Sequence, residues 1–222
     1  MPLARKDCNP MPRYPVKYCA MTHELFAALI AFAFVTSVTP GPNNMMLLAS
    51  GANFGFARSV PHMLGISLGH MAMTLILGLG LVGVMLAVPA AVLALKVASV
   101  AYMLWLAWKL AHAAAPGEAG AGEAGAGARP LTFLQAAAFQ WVNPKAWAMS
   151  LGAVAAYAPD QSFGAVALVA AVFAATNLPS VSLWTLAGGA LRRWLTSPGR
   201  LTAFNWTMAV LLVASLIPVL LH

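Results

Sequence analysis

A short polar motif interrupts a long apolar stretch near the start of the chain, Thr39-Pro40-Gly41-Pro42-Asn43-Asn44. Proline inside a helix removes a backbone donor and clashes with the preceding turn, so two prolines around a glycine predict a break of about one turn. A half-helix that begins at such a break offers free backbone N–H groups, which suit a carboxylate. The two asparagines add hydrogen-bonding amides without a buried charge. We interpret residues 40–44 as ligand-binding, with a simple packing kink as the alternative.

A second polar constellation lies in the other half of the chain and consists of Gln140, Asn143, Pro144 and Lys145. Lys145 is the only charged residue between Arg129 and Asp160. A lysine at the centre of a membrane-spanning helix costs about 2.5–3.5 kcal/mol on insertion scales. A cost of that size indicates a function, and the ammonium group could bind a substrate carboxylate or exchange a proton. The alternative is a lysine that snorkels from the end of a shifted span.

Smaller signals occur in two other apolar stretches. Gly65 and Gly69 form a small-xxx-small pair, which is typical of close helix packing and could also shape a binding cavity. Asn177 and Pro179 predict a break in a later stretch, as a weaker version of the first motif. All four are candidate substrate-binding residues beside the two main constellations.

Two histidines, His62 and His70, lie eight residues apart and share roughly one helix face. A histidine inside a membrane can relay protons, so His70 joins Lys145 as a candidate for proton coupling, although one hydrogen bond in a packed interface is the commoner role. The five acidic residues fall in predicted tail, linker or loop positions: Asp7, Glu24, Glu118, Glu123 and Asp160. No carboxylate relay, phosphate-binding loop, nucleophile–base set or metal-ligand spacing is visible. We therefore expect no enzymatic activity, no metal and no cofactor.

The elements that must position these residues are membrane-spanning helices. The chain is 61% hydrophobic and only 8% charged, against about 25% charged residues in a soluble domain. A spanning helix needs about 20 mostly apolar residues, and the long charge-free stretches satisfy that length. The predicted spans cover about residues 25–50, 60–86, 90–110, 131–157, 163–190 and 201–220. The two polar constellations then interrupt the first and the fourth helix near the membrane midplane.

The order of these spans predicts two inverted repeats. Residues 113–130 are an Ala/Gly-rich linker, which separates a first three-helix repeat (21–112) from a second one (131–222). Three spans are an odd number, so the two halves must insert in opposite senses, as in many transporters. Pro42-Asn43 in the first span and Asn143-Pro144 in the fourth stand at corresponding depths. The fold prediction is an all-α integral membrane protein of six transmembrane helices.

Charge sets the predicted orientation. The formal net charge of +7 is spread over loops and the tail, so we read it as topology-setting rather than as a nucleic-acid surface. The loops after spans one, three and five hold Arg58, Lys109, Arg129, Arg192, Arg193 and Arg200. If Met21 is the true start, both termini lie outside. The polar basic tail of residues 1–20, which contains both cysteines, would nearly balance the count if it is translated.

At these residues the sequence resembles the LysE/RhtB family of amino-acid exporters, from Met21 to the C-terminus apart from the linker. The likeness rests on TPGPNN at 39–44, GISLGH at 65–70, Lys96, Tyr102, WLAWK at 105–109 and FQWVNPKAW at 139–147. The stretches WLAWK and FQWVN look most like the branch that exports cysteine and O-acetylserine. Two positions depart from relatives that often carry glycine, Ser99 and Ala107.

The resemblance implies efflux from the cytoplasm across a bacterial inner membrane, driven by the proton-motive force, with alternating access around a midplane site. Carried over by motif, the site contains Pro40, Gly41, Pro42 and Asn43 in the first half, and Asn143, Pro144 and Lys145 in the second. Some lysine-exporting relatives carry an acidic residue in the fourth span. None is present here, so the expected substrate is a small neutral amino acid or derivative, cysteine/O-acetylserine-like or threonine/homoserine-like. A non-transporting membrane scaffold or assembly factor is the alternative, and a homo-oligomer is compatible with either function.

Overall fold

The computed structural model of the chain describes residues 22–81, 88–112 and 129–217, and within these ranges every regular element is helical. Eight α-helices lie in this part of the chain: α1 (His23–Val38), α2 (Pro42–Phe54), α3 (Phe56–Ile76), α4 (Pro89–Ala111), α5 (Phe133–Phe139), α6 (Pro144–Tyr157), α7 (Phe163–Leu191) and α8 (Pro198–Ala214). A π-helical segment, Leu77–Leu81, extends α3, and a 3-10 turn, Gln140–Val142, follows α5. The tail and the linker predicted at 1–20 and 113–130 fall outside these ranges, except for residues 129 and 130.

Three segments are long and apolar enough to cross a membrane: Phe56–Gly80, Val92–Ala111 and Phe163–Leu191. The pair α1 and α2 makes a fourth candidate if its 55° bend lies within one span. The outer face of α4 is apolar and exposed, as at Leu93 and Trp108, which are 63% and 60% accessible. Such a surface suits lipid rather than water. An all-helical fold with three or four candidate spans is therefore confirmed for the described residues, whereas the six-span plan in two inverted repeats stays a prediction.

Both polar constellations interrupt a helical segment at the predicted place. α1 ends at Val38 and α2 begins at Pro42, and the 3-10 turn after α5 ends just before α6 begins at Pro144. Each proline occupies the first turn of its new helix, where the missing N–H would have had no intrahelical partner. The two prolines therefore start the second half-helices.

The prediction that Asn177 and Pro179 break the fifth span is wrong. α7 runs without interruption through Asn177 and Pro179. A proline inside a membrane helix is tolerated where neighbouring helices and Ser/Thr side chains satisfy the freed backbone groups.

Contacts between the helices fix their relative directions. α1 is antiparallel to α6, since Thr39 contacts Lys145 at one end and Phe32 contacts Tyr157 at the other. α3 runs parallel to the α5–α6 segment and antiparallel to α7, as its successive contacts show: Gly65 with Phe133, Gly69 with Ala137, Thr74 with Ser150, His70 with Phe173 and Gly78 with Val166. These directions are the ones that alternating spans require.

Glycines let two helix pairs approach to backbone contact. At the crossing of α2 and α7, a Cβ atom on Gly51 would meet the Thr185 carbonyl, and one on Gly188 would meet the Leu48 carbonyl. On α3, Gly65 lies against Phe133 and Gly69 against Ala137. Small residues allow such close packing in membrane proteins. These contacts hold α2 and α5, which border the two breaks, against the long helices α7 and α3.

Most basic residues of the described ranges lie at one end of the helix bundle; Lys96 and Lys145 do not. The turn at Gly55, whose φ of 80° favours glycine, lies against the Arg192 side chain. Asn53 of α2 and Asn205 of α8 share a hydrogen bond of 3.0 Å at the same end. Near this end lie Arg58, Lys109, Arg193 and Arg200. The opposite end contains the turn between α6 and α7, with Asp160.

Candidate functional site

The two interrupted segments meet at one small open cleft. Side chains from α1, α2, α3, α6 and α7 line it: Thr36, Ser37, Gly41, Asn43, Asn44, His70, Asn143, Lys145, Ala146, Met149 and Asn177. Among the described residues that line it, Lys145 is the one charged side chain, and none is a carboxylate. Two motifs that stand about a hundred residues apart in the sequence therefore form a single polar site in the bundle.

Lys145 spans the gap between α6 and the end of α1. Its Nζ donates to Thr39 O at 2.6 Å, to Thr39 Oγ1 at 3.0 Å and to Pro40 O at 3.3 Å. The break frees these carbonyl groups, and they carry the partial negative charge of a helix C-terminus. Among the described residues, the ammonium group thus has two backbone carbonyls and one hydroxyl group as partners and no acidic one.

Gly41 makes room for the Lys145 side chain. A Cβ atom at this position would stand 2.6 Å from Lys145 Cδ and 3.1 Å from Nζ. The backbone of Gly41 is extended, with φ −178° and ψ 177°, so the requirement for glycine comes from the lysine rather than from the backbone conformation.

Two asparagines of α2 satisfy the polar groups around the first break. Asn43 and Gln140 form a reciprocal amide pair, in which Asn43 Nδ2 donates to Gln140 Oε1 at 2.9 Å and Gln140 Nε2 donates to Asn43 Oδ1 at 3.1 Å. Asn44 Nδ2 donates to the carbonyl oxygens of Ser37 and Thr39, each at 2.8 Å. The amide pair joins the two breaks directly, and Asn44 closes the end of α1.

The two breaks are connected in a reciprocal way. The residue after the proline that starts α2 is Asn43, and it contacts Gln140 just before the second break. The residue after the proline that starts α6 is Lys145, and it contacts Thr39 at the first break. Each second half-helix thus binds the end of the other segment's first half.

The starts of α2 and α6 differ in their capping. Asn143 caps α6, because its Oδ1 accepts from Lys145 N at 3.1 Å. α2, a helix of 13 residues, has Gly41 at its N-cap position and therefore no side-chain cap. Uncapped N–H groups at a helix start attract anions, so this edge of the cleft and the nearby Lys145 both favour a negatively charged group.

His70 borders the cleft from α3. Its Nε2 lies 3.1 Å from Ser150 Oγ and 3.4 Å from Ala146 O, and Ser150 Oγ lies 2.8 Å from Thr74 Oγ1. Its Nδ1 is buried and has no hydrogen-bond partner among the described residues, and the same holds for Ser37 Oγ. The buried Asn177 side chain also makes no hydrogen bond within this part of the chain. Three residues of the cleft lining thus carry polar groups without a partner among the described residues.

The structure separates the predicted site residues into two groups. Seven of them line the cleft: Gly41, Asn43, Asn44, His70, Asn143, Lys145 and Asn177. Gln140 is fully buried behind the cleft as the partner of Asn43. Pro40, Pro42 and Pro144 shape the breaks, and Pro179 lies inside α7. Gly65 and Gly69 pack against α5 and are not part of the lining.

Sequence reasoning missed four residues of the lining, namely Thr36, Ser37, Ala146 and Met149. Thr36 and Ser37 are polar residues within an otherwise apolar stretch, one turn before the first break. That position is a usable signal, because a cavity at a break also exposes the turn before it. Ala146 and Met149 carry no such signal, since apolar residues are expected throughout a membrane helix.

Comparison with known proteins gives consistent matches. The family profile described as LysE type translocator matches residues 34–217. The chain is 32% identical over 195 residues to a protein of Escherichia coli (strain K12) named cysteine/O-acetylserine efflux protein, covering 87% of this chain and 96% of that protein. Proteins of the same name from Shigella sonnei (strain Ss046) and Shigella flexneri match with the same identity and coverage. No solved structure matches the chain significantly.

Proposed function

The chain belongs to the LysE type translocator family, and on that premise we propose that it exports small neutral amino acids or their derivatives from the cytoplasm. The observation that carries this proposal is the meeting of both interrupted segments at one cleft, where Lys145 supplies a positive charge with no acidic partner. A non-transporting scaffold would need neither the buried asparagines nor the lysine.

The lining of the cleft favours a neutral zwitterion. Lys145 and the uncapped start of α2 suit the carboxylate group that all amino acids carry. The absence of a carboxylate from the lining removes the usual partner of a basic substrate side chain. The relatives' names point to cysteine and O-acetylserine as the first substrates to test, with threonine-like and homoserine-like amino acids as the second group.

The reciprocal contacts between the breaks support alternating access. A substrate carboxylate that draws Lys145 away from Thr39 and Pro40 would free the joint between α1 and α2. The two halves of the chain, as inverted three-helix repeats, would then rock about the cleft. We place the basic end of the bundle in the cytoplasm, the protein in a bacterial inner membrane, and the driving force in the proton-motive force.

An export assay with a matched variant tests this function. The chain is overproduced in a bacterial strain, and extracellular amino acids are measured with and without a protonophore. We expect cysteine or O-acetylserine to accumulate outside, less so with the protonophore. Lys145→Met retains the length of the side chain but not its charge, and we expect it to reach the membrane in normal amounts with export at background. Normal efflux from Lys145→Met would contradict the role of the cleft, and no accumulation of any amino acid would favour the scaffold.

A further inference from the structure

The hydrogen bonds around His70 determine which ring nitrogen carries the proton. Thr74 Oγ1 donates to His70 O at 2.9 Å, so its single hydroxyl hydrogen is used there. Ser150 Oγ, 2.8 Å away, then donates to Thr74 Oγ1 and accepts from His70 Nε2 at 3.1 Å. Ala146 O, 3.4 Å from the same Nε2, also requires a donor on that nitrogen. The hydrogen is therefore on Nε2, and Nδ1 is an acceptor.

That acceptor is held in place at the wall of the cleft. The His70 ring is 1% accessible, and Phe173 packs edge-on against it with 5.0 Å between ring centroids. Nδ1 has no partner among the described residues, nor has Ser37 Oγ, which lines the same cleft. A buried acceptor without a donor is rare in a folded protein. The other buried polar atoms without a partner among the described residues are both ring nitrogens of His62 and the hydroxyl oxygens of Ser67 and Ser180. Of the whole set, only His70 Nδ1 and Ser37 Oγ belong to residues of the cleft lining, so these are the two that a ligand would satisfy.

The second charge of a zwitterion is such a donor. Lys145 and His70 are linked through neighbouring groups, since His70 Nε2 lies 3.4 Å from the carbonyl of Ala146, the residue after Lys145. A molecule whose carboxylate binds Lys145 therefore presents its ammonium group within the same small cleft. We propose that His70 Nδ1, together with Ser37 Oγ, accepts hydrogen bonds from the α-ammonium group of the substrate, while Lys145 binds the carboxylate. This inference rests on the proposed function and adds the residues that recognise the amino group.

Three ligands that share a thiol separate the two ends of the site. L-cysteine carries both charges, N-acetyl-L-cysteine lacks the ammonium group, and cysteamine lacks the carboxylate. Binding of each to the purified full chain is measured by calorimetry under reducing conditions. The serine series of L-serine, N-acetyl-L-serine and ethanolamine is run alongside.

His70→Gln is the decisive variant, because its amide can still donate to Ser150 but leaves no acceptor at the position of Nδ1. We expect the affinity for the zwitterion to fall about tenfold to a hundredfold, the range of a hydrogen bond to a charged group, with binding of the N-acetyl derivative unchanged. Lys145→Met should show the opposite pattern, weakening the zwitterion and leaving cysteamine or ethanolamine unchanged. His62→Gln is the matched control, since His62 is buried on the same helix and does not line the cleft.

Each failure has a distinct meaning. Unchanged binding of the zwitterion by His70→Gln overturns the inference, and so does an equal loss for the zwitterion and its N-acetyl derivative, which would indicate a structural role or recognition of the side chain. If His70→Gln does not fold, Ser37→Ala decides, because its hydroxyl group makes no hydrogen bond among the described residues. We expect a loss of about tenfold to a hundredfold, again the range of a hydrogen bond to a charged group, for the zwitterion alone, and no loss overturns the inference. Absence of zwitterion binding by the unmodified chain would instead overturn the proposed function.

Discussion

The ammonium group of Lys145 is stabilised by oxygen atoms of an interrupted backbone. A carboxylate partner would have neutralised the cleft and competed strongly with any anionic ligand. Two carbonyl groups and the Thr39 hydroxyl accept from the ammonium group but carry no net charge, so the proposed site would keep its attraction for a substrate carboxylate. The break in α1 thus supplies both the space for a ligand and the partners for the residue that attracts it.

Gly41→Ala tests whether this position of Lys145 matters. The new methyl group would stand 2.6 Å from Lys145 Cδ, so the lysine must move away from Thr39. We expect export to fall at least about tenfold, the effect of about 1.4 kcal/mol, with normal amounts of protein in the membrane. Gly152→Ala on α6 is the control, because its methyl group makes only an ordinary 3.7 Å contact with Phe32. Equal export by the two variants would contradict the steric argument.

The amide pair of Asn43 and Gln140 permits a test by a double-mutant cycle. Asn43→Ala leaves the fully buried Gln140 amide with fewer partners, and an unsatisfied buried group costs about 1–3 kcal/mol. We expect Asn43→Ala to lower thermal stability in detergent. In the cycle, we expect the double change of Asn43→Leu with Gln140→Leu to lower it less than the sum of Asn43→Leu alone and Gln140→Leu alone. Additive losses would mean that the pair does not couple the two breaks.

At the residue scale, the sequence predicted which residues are unusual in an apolar helix but not which groups they contact. Gly41, Asn43, Asn143 and Lys145 could be identified because proline, asparagine and lysine are costly inside an apolar helix. That Lys145 binds the end of α1, and that Ser37 reaches the cleft, depends on how α1 and α6 cross. Side-chain type and spacing do not contain that information.

At the scale of elements, local chemistry decided the breaks only where it was strong. Two prolines around Gly41, and Asn143 before Pro144, end one helix and start another. A lone Pro179 leaves α7 continuous, because surrounding helices can compensate for one missing hydrogen bond. The number of helix-breaking residues and their clustering therefore distinguish the two interrupted segments from the continuous α7.

The crossing of α2 and α7 gives a prediction about the packing that supports the first break. Gly188→Ala would place a methyl group on the Leu48 carbonyl, whereas Gly189→Ala would meet nothing nearer than Gly51 O at 3.9 Å. Overpacking of this kind costs about 1–3 kcal/mol. We expect Gly188→Ala to lower the thermal unfolding temperature and Gly189→Ala to leave it nearly unchanged. A lower unfolding temperature for Gly189→Ala than for Gly188→Ala would contradict this packing of α2 against α7.

At the scale of the whole molecule, the predicted topology requires the turn with Asp160 and the basic end near Ser197 to lie on opposite sides of the membrane. The native Cys8 and Cys19 are changed to serine, and single cysteines are introduced by Asp160→Cys and Ser197→Cys. We expect a membrane-impermeant maleimide to label Asp160→Cys in intact cells, and Ser197→Cys only after the membrane is permeabilised. The opposite result would reverse the orientation, and labelling of both in intact cells would contradict the crossing of α7.

The sequence also predicted the order of the helices better than it predicted which helices pack against each other. Six apolar stretches in two repeats of three predict helices that alternate in direction across the membrane. The contacts among α1, α3, α6 and α7 have those directions. Which faces meet is determined by small residues such as Gly51 and Gly188, together with the bend after α1. Because the chain has so many small residues, which helices pair with each other is determined only in the assembled bundle.

The three oxygen contacts of Lys145 also bear on the concentration at which the protein would begin to work. An arriving carboxylate must displace an internal competitor, since Nζ is already bound to Thr39 and Pro40. Every 1.4 kcal/mol or so by which the unloaded arrangement is favoured raises the half-saturating concentration about tenfold. An exporter with such a built-in competitor leaves a scarce metabolite inside the cell and discharges only a surplus. The break in the first span would thus set the substrate concentration above which export begins.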